Sequence, residues 1–478
     1  MRHPICFFLL SLCPALFSCG NADTKKEPPS SYVPANPATK EMPADTFAEG
    51  TVIKNIACRA DASNTYALYL PNKIKKGKKY PVLFLFDAHA RGSLPLIKYK
   101  DLADRYGVIL ACSNSSKNGQ DGNTMFLIAS GFIEDVLHRV PADVQNLYAG
   151  GFSGGARVAI GIALQDNRMK GIIANSAGFD PHQEPLRKSV CFVALVGNED
   201  FNLAELKNTQ VALNSTGNTN DLLIFNGKHD WAPVNDMDKA FLLLSLEGIR
   251  AKRLERNDSI LNASFAADAQ QAERMLKGKS DLLTRAAVCN LMNLYYRDLK
   301  PVEKYAAELN QIHADPAYQK ALADQDGKSQ AERALQDKYA QDVRDKDMPW
   351  WNTEVARLEN ENRSSKDKEK VILNKRLLAY LSLVAFMNAN NALNQNALPE
   401  AEHFLALYKL VDPLNSEWAY LLARLHMAQN DQPGAIANLD EAVKLGFNDL
   451  DRVRQQKEFQ PLLGDPKFNE VLAKMKTE

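Results

Sequence analysis

Three side chains with complementary chemistry follow apolar runs at different points of the chain: Ser153, Asp200 and His229. A serine hydroxyl is a weak nucleophile until a base accepts its proton, and a histidine base needs a carboxylate that fixes its tautomer. The order serine, acid, histidine, with each residue just beyond a strand-like run, predicts nucleophilic acyl transfer at the edge of a sheet.

The serine lies in "YAGGFSGGAR", residues 148–157, in which Gly151 to Gly155 match the pattern G-x-S-x-G. Glycine is costly in regular structure, so such a cluster indicates a tight turn or a close approach of backbone. The pattern lies between a strand-like run and a helix-like one. It therefore predicts a strand–turn–helix elbow that exposes the hydroxyl of Ser153.

The acid has two candidates on one predicted loop. Asp200 ends the segment "CFVALVGNED", and Glu199 precedes it by one residue. We expect Asp200 to orient His229, with Glu199 as the rival. His229 comes directly after "LLIFNGK", the last apolar run of this half of the chain.

The elements that must position these residues are six continuous apolar runs, which begin with "YPVLFLFDAH" and end with "LLIFNGKHD". Continuous runs are typical of strands buried on both faces, as in a mainly parallel sheet. Helix-like segments separate them, near 97–105, 124–139, 155–166, 203–213 and 236–248. The pattern predicts an α/β fold in which helices cover both faces of the sheet, over residues 50–250.

After Arg250 the strand signal ends and helical patterns follow. Ala401, Leu405 and Tyr408 recur 34 residues later at Ala435, Leu439 and Ala442, the period of tetratricopeptide repeats. We predict an irregular helical region over 251–390 and a tetratricopeptide-like solenoid over 391–478. Such a solenoid is expected to bind a protein partner, and cutting the chain near residue 250 is expected to leave the chemistry intact.

The segments "GFSGG", "GNEDFN" and "GKHDWAP" together resemble the α/β-hydrolase superfamily, in particular esterases similar to dienelactone hydrolases and polyhydroxyalkanoate depolymerases. The resemblance covers about residues 60–248. It implies Ser153 as nucleophile, Asp200 as acid and His229 as general base.

An acyl-transfer site also needs hydrogen-bond donors for the developing oxyanion. We expect the backbone N–H of Gly154, directly after the nucleophile, to be one of them. The other is expected in the loop "DAHARG" after the first apolar run, from the N–H of His89, with Ala88 as the alternative. The family often has His-Gly where this chain has Asp87-Ala88.

The N-terminus indicates export. An apolar run too short to span a bilayer stably ends in "LFSC", which resembles the bacterial lipobox with Cys19 as the acylated residue. We expect a lipoprotein signal peptide over 1–18, a disordered tether over 19–49, and a protein anchored by lipid in the cell envelope, in the outer membrane. An ordinary secretory signal is the alternative.

Composition and cysteine spacing limit the classes of partner and ligand to be expected. The 478 residues carry a formal net charge of zero, so no nucleic-acid partner is expected, and the spacing of the cysteines suits no metal. No cofactor is expected. The leading hypothesis is an esterase acting on acylated glycans or phenolic esters, because no inserted segment is long enough for a substantial cap. The alternatives are a serine peptidase and an inert hydrolase-fold protein that binds partners.

Overall fold

The computed structural model describes residues 46–182 and 184–475. The predicted signal peptide, Cys19 and nearly all of the predicted tether lie outside the described residues. Within them the chain forms one mixed sheet flanked by helices, followed by a large all-helical part. The structure confirms the predicted α/β class and the predicted helical C-terminal part.

The sheet has eight strands in the spatial order β1-β2-β4-β3-β5-β6-β7-β8. Their bounds are β1 Val52–Ala57, β2 Thr65–Tyr69, β3 Tyr80–Asp87, β4 Ile109–Ser113, β5 Ala142–Phe152, β6 Met169–Asn175, β7 Cys191–Gly197 and β8 Asn220–Phe225. Strands β3 to β8 run parallel to one another and correspond to the six predicted runs. Strand β2 runs antiparallel to both of its neighbours, β1 and β4.

Five helices cover both faces of the sheet. They are α1 Ser93–Tyr106, α2 Gly122–Arg139, α3 Gly154–Gln165, α4 Leu203–Thr216 and α5 Val234–Arg250. Helices α1 to α4 connect strands, and α5 follows β8. Along β3, Phe84 and Phe86 belong to the core under α2 and α3, while Leu83 and Leu85 belong to the core under α1 and α5. Burial of alternate residues on opposite faces explains why the strand sequences are apolar throughout.

The C-terminal part contains eleven α-helices and a short 3-10 helix in the described residues. They are α6 Asp258–Lys277, α7 Leu282–Tyr296, α8 Glu303–Ala314, α9 Pro316–Asp345, α10 Met348–Ser364, α11 Lys368–Asn394, α12 Leu398–Val411, α13 Ser416–Ala428, α14 Gln432–Lys444, α15 Leu450–Gln455, the 3-10 helix Lys457–Leu462 and α16 Pro466–Lys474. Many begin with an aspartate cap and a proline in the first turn, as α9 does at Asp315-Pro316. The segment 251–390, predicted to be an irregular helical region, contains well-defined helices from α6 to α11.

The hydrophobic core does not divide at residue 250, where the domain boundary was predicted. Leu261 of α6 and Cys289 and Tyr295 of α7 belong to the same apolar cluster as α5 and one face of the sheet. The Tyr295 hydroxyl donates to Asp221 Oδ2 of β8 at 2.8 Å. Helices α6 to α8 therefore extend the α/β core, and a second core begins with α9 and α10.

The second core contains the predicted repeat. Helices α13 and α14 form the expected hairpin, with Asn430 at φ 62° in its turn. The repeat positions Ala401, Leu405 and Tyr408 and their counterparts Ala435, Leu439 and Ala442 are all buried. These contacts establish a helical hairpin and a packed repeat position, while membership in the tetratricopeptide class stays a prediction.

Helix α11 is long and apolar enough to cross a membrane by length and composition alone. Its apolar residues Leu377, Leu381 and Ala385 are buried in the second core, against helices such as α12. It behaves as a core helix of the folded helical part.

Candidate active site

The turn between β5 and α3 places Ser153 at the end of the sheet. Its backbone has φ 54° and ψ −121°, a conformation that non-glycine residues rarely adopt outside functional sites. Gly155 lies against β3 so closely that a Cβ would come within 2.0 Å of the Phe86 carbonyl oxygen. A Cβ on Gly151 would lie 2.3 Å from the Gly155 carbonyl oxygen. The glycines are therefore required for this turn to close.

The structure brings Ser153, His229 and Asp200 into one hydrogen-bonded chain. Ser153 Oγ is 2.9 Å from His229 Nε2, and His229 Nδ1 is 3.0 Å from each oxygen of the Asp200 carboxylate. Because the carboxylate can only accept, Nδ1 carries the proton and Nε2 is free to accept one from the serine.

Asp200 is completely buried at the end of β7. Its carboxylate also accepts the backbone N–H of Asn202 at 2.8 Å, and the Asn202 side chain donates to the Ser176 carbonyl at 2.7 Å. The rival acid, Glu199, forms an ion pair with Lys375 at 2.6 Å. The geometry thus favours Asp200 as the partner of His229.

The loop that carries His229 is fixed by Asn175, a buried residue at the end of β6 that the sequence reasoning missed. Its Nδ2 donates to the Asp230 carbonyl at 2.9 Å, and its Oδ1 accepts the Ala232 N–H at 2.7 Å. The rings of Phe152 and Phe201 enclose the imidazole, with centroids at 4.8 and 4.4 Å. A polar residue at the end of an apolar run was the signal available for Asn175.

The predicted oxyanion donor, the backbone N–H of His89, already has an acceptor. This N–H donates to Asp87 Oδ1 at 2.9 Å, so the expectation that it faces the oxyanion is corrected. The buried Asp87 also accepts from Arg91 through two side-chain bonds of 2.9 and 3.0 Å, and from the Trp231 indole at 2.8 Å. The aspartate that replaces the family's His-Gly therefore fixes this loop and joins it to the histidine loop.

The electrostatics of Asp87 follow from these contacts. Burial by itself would raise the pKa of the Asp87 carboxyl. The hydrogen bonds and the charge of Arg91, together with the hydrogen bonds from the Trp231 indole and the His89 backbone, outweigh burial and lower this pKa. The carboxylate is thus ionised, which maintains the hydrogen bonds that it accepts.

Gly154, the other predicted oxyanion donor, is the first residue of α3. A Cβ at this position would lie 1.8 Å from Asn118 Oδ1, so the Asn118 amide covers the backbone beside the serine. Asn118 belongs to the polar segment 113–123 and was not predicted as a site residue.

The helical part packs against the loop that carries Asp200. Phe201, next to Asp200, packs against the second core. His89, on the loop after β3, is exposed, and desolvation and the charge of Arg91 lower the pKa of its imidazole. The helical part therefore lies beside the site. The sequence did not indicate this, because it contains no inserted segment long enough for a substantial cap.

In the described residues no group of three or more His, Cys, Asp or Glu side chains has the arrangement of a metal site. The four cysteines at 58, 112, 191 and 289 are buried free thiols.

No family model matches the chain, and no curated protein matches it. Among solved structures, a ferulic acid esterase is 20% identical over 42% of this chain and 98% of its own, with a TM-score of 0.34. A fluorophosphonate-binding serine hydrolase of Staphylococcus aureus is 13% identical over 41% and 99%, with a TM-score of 0.34. The S-formylglutathione hydrolase of the same organism is 13% identical over 43% and 100%, with a TM-score of 0.35. Each match leaves more than half of this chain unmatched.

Proposed function

We propose that this protein is a serine hydrolase that cleaves carboxylic esters through an acyl-enzyme. The observation that carries the proposal is the unbroken hydrogen-bonded chain from the buried Asp200 through His229 to Ser153. Nucleophile, base and orienting acid are all within hydrogen-bond reach, which is the geometry that activates a serine hydroxyl.

In the first half-reaction Ser153 Oγ attacks the ester carbonyl carbon and its proton passes to His229 Nε2. The tetrahedral intermediate collapses when His229 returns that proton to the leaving alkoxide, so an alcohol departs and the acyl group stays on the serine. In the second half-reaction water attacks the acyl carbon and gives a proton to His229. The carboxylic acid is released as the serine recovers its proton, while Asp200 stabilises the imidazolium throughout.

The oxyanion donors in this proposal are the backbone N–H groups of Gly154 and Ala88. Gly154 directly follows the nucleophile and begins α3, where the N–H groups of the first turn have no partner inside the helix. Ala88 replaces His89 because the His89 N–H is already donated to Asp87. Each donor of this kind contributes about 10²- to 10³-fold to kcat in enzymes where one has been removed.

Acylated glycans and phenolic esters are the substrates proposed for this site. The polar segment 113–123 supports them, because it brings the Asn118 amide beside the serine, where it can bind a substrate hydroxyl. A panel of acetylated xylan, feruloyl esters, short p-nitrophenyl esters and peptide amides tests both parts of the proposal. We expect hydrolysis of feruloyl or acetylated-xylan esters without amide cleavage. Activity confined to short esters would reject the substrate class, and faster cleavage of amides would favour a peptidase.

The test of the catalytic serine is labelling with a fluorophosphonate, which reacts only with an activated serine. The wild-type protein should be labelled, and Ser153→Ala should lose both labelling and ester hydrolysis while it keeps its melting temperature. Ser215→Ala, near the C-terminal end of helix α4, is the matched control and should be labelled like wild type. An unlabelled wild-type protein would support the inert binding protein instead.

We also propose that acylation of Cys19 anchors the protein in the outer membrane, and that the repeats bind a protein partner. The support is the sequence "LFSC" and the 34-residue repeat. Replacing Cys19 with Ser should release the protein from membranes, whereas unchanged sedimentation with membranes would mean another attachment.

A further inference from the structure

We propose that helices α9 and α11 position the catalytic acid, because they hold the loop that carries Asp200. This loop consists of residues 198–201, and Arg376 is its main positioning residue. The inference rests on the proposed function, since it assigns the helical part a task in the reaction of Ser153.

Every neighbour of Asp200 in this loop receives a polar contact from the helical part. Arg376 Nη1 donates to the Asn198 carbonyl at 2.8 Å. Lys375 Nζ lies 2.6 Å from Glu199 Oε1. The remaining neighbour, Phe201, is bound through its carbonyl oxygen, which accepts from Gln336 Nε2 at 3.2 Å. The backbone is therefore held on both sides of the acid.

Arg376 is itself held in one orientation. Its Nε and Nη2 each donate to one oxygen of Glu332 on α9, at 2.5 Å, and the two side chains are only 12% and 7% exposed. A guanidinium is a planar fork of donors, so two bonds to Glu332 aim the third, from Nη1, at the loop. Lysine carries its charge at a single nitrogen and cannot make both sets of contacts.

Phe201 transmits the position of the helices to the base. One side of its ring stacks on His229, with the centroids 4.4 Å apart at 27°. Its side chain also packs against the apolar core of the helical part. A shift of α9 or α11 therefore moves both the acid and the surface against which the imidazole rests.

The experiment compares full-length variants on a p-nitrophenyl ester, with fluorophosphonate labelling to count active sites. Arg376→Ala is combined with Glu332→Gln, so that no carboxylate is left buried without a partner. We expect kcat per labelled site to fall about 10- to 100-fold with little change in KM, since small misplacements of catalytic groups have effects of this size. Lys328→Ala, which removes an exposed ion pair with Glu369 elsewhere on the same helices, is the control and should match wild type.

Two further variants separate positioning from a general loss of stability. Arg376→Lys alone should recover only part of kcat, because it restores charge without the fork. In an Asp200→Asn background the Arg376→Ala/Glu332→Gln change should have a much smaller effect, since the acid that it positions is already gone and only the contact of Phe201 with His229 can still be disturbed. An equal loss in both backgrounds would overturn the inference.

Lys375→Ala covers the case in which the double variant fails to fold, because its side chain is 44% exposed. It should lower kcat two- to fivefold, and a wild-type value would overturn the inference. Failure of the proposed function looks different: the wild-type protein itself would neither hydrolyse esters nor react with the fluorophosphonate, and both proposals would fall.

Discussion

Asp87 determines the path of the loop beside the serine. Its buried carboxylate binds two segments at once, since Arg91 and His89 lie in its own loop and Trp231 lies two residues after His229. The roles of Asp87 and Asn175 could not be assigned from the sequence, although each lies at the end of an apolar run, because each role depends on contacts with residues distant in the chain. Ser153, His229 and Asp200 were accessible to sequence reasoning because local patterns and strand ends mark them.

The Asp87 network predicts a pH-dependent contribution to stability. Asp87→Asn should lower the free energy of unfolding at pH 7 by about 1.5–3 kcal/mol, the range for hydrogen bonds to a charged group, because the ion pair between Asp87 and Arg91 is lost. The pKa of Asp87 is lowered in the folded state. The contribution is therefore present above the unfolded pKa of about 4 and is lost as pH falls through the folded value.

Urea unfolding of wild type and Asp87→Asn from pH 7 to pH 3 measures this difference. It should shrink below about pH 4. A difference that stays constant across the range would contradict a role for the ionised carboxylate.

The two acids on the 198–201 loop predict opposite outcomes on mutation. Asp200→Asn should lower kcat by about 10⁴-fold, because an asparagine favours the wrong tautomer of His229. Glu199→Gln removes only the ion pair with Lys375, so its effect on kcat should stay within about the fivefold range expected of that contact. Steady-state kinetics on a p-nitrophenyl ester compare them, and a larger loss in Glu199→Gln would reverse the assignment.

At the scale of elements, helix α3 offers a matched pair of glycines. Gly155→Ala should destabilise the protein by at least 1–3 kcal/mol, the order of cost of overpacking, because the new Cβ meets the Phe86 carbonyl, a backbone atom. Gly161→Ala, where a Cβ meets nothing within 4 Å, should stabilise it by up to about 1 kcal/mol. Thermal or urea unfolding measures both, and equal effects would contradict the close packing of α3 on β3.

The elements that the sequence predicted well are those with a strong local period. The six parallel strands and helices α1 to α5 appeared as buried runs and amphipathic segments, whereas β1 and β2 did not. Strand β1 lies at the sheet edge, where most of its residues keep contact with solvent and leave no continuous apolar run. The 34-residue spacing also appears in the side-chain contacts. Arg424 donates to Asn390 and Glu458, which lie one period before and one period after it.

For the whole molecule, the shared core changes the expected result of truncation. A chain that ends at residue 255 loses Tyr295, the hydrogen-bond partner of the buried Asp221, and exposes the face that α6 to α8 cover. We expect it to be insoluble, whereas a chain that ends near residue 315 keeps these helices and should remain soluble. The soluble fraction and the melting temperature test this, and a folded chain ending at 255 would restore the boundary predicted from the sequence.

The contact between the helical part and the loop of Asp200 could not be predicted from the sequence, for a physical reason. The contacts from Arg376 and Lys375 to the acid loop join residues 178 and 176 positions apart, and no local pattern at either end indicates the other. The helical part was therefore predicted to be independent of the chemistry. The structure instead places it against the loop of Asp200.

That separation along the chain has a consequence in time. Synthesis proceeds from the N-terminus at roughly 5–20 residues per second, so about 10–35 s pass between the appearance of Asn198 and that of Arg376. During this interval the sheet and its serine can form while the loop of the acid still lacks its clamp. Under the proposed function, the nascent polypeptide therefore holds its nucleophile before it holds the side chain that positions its acid.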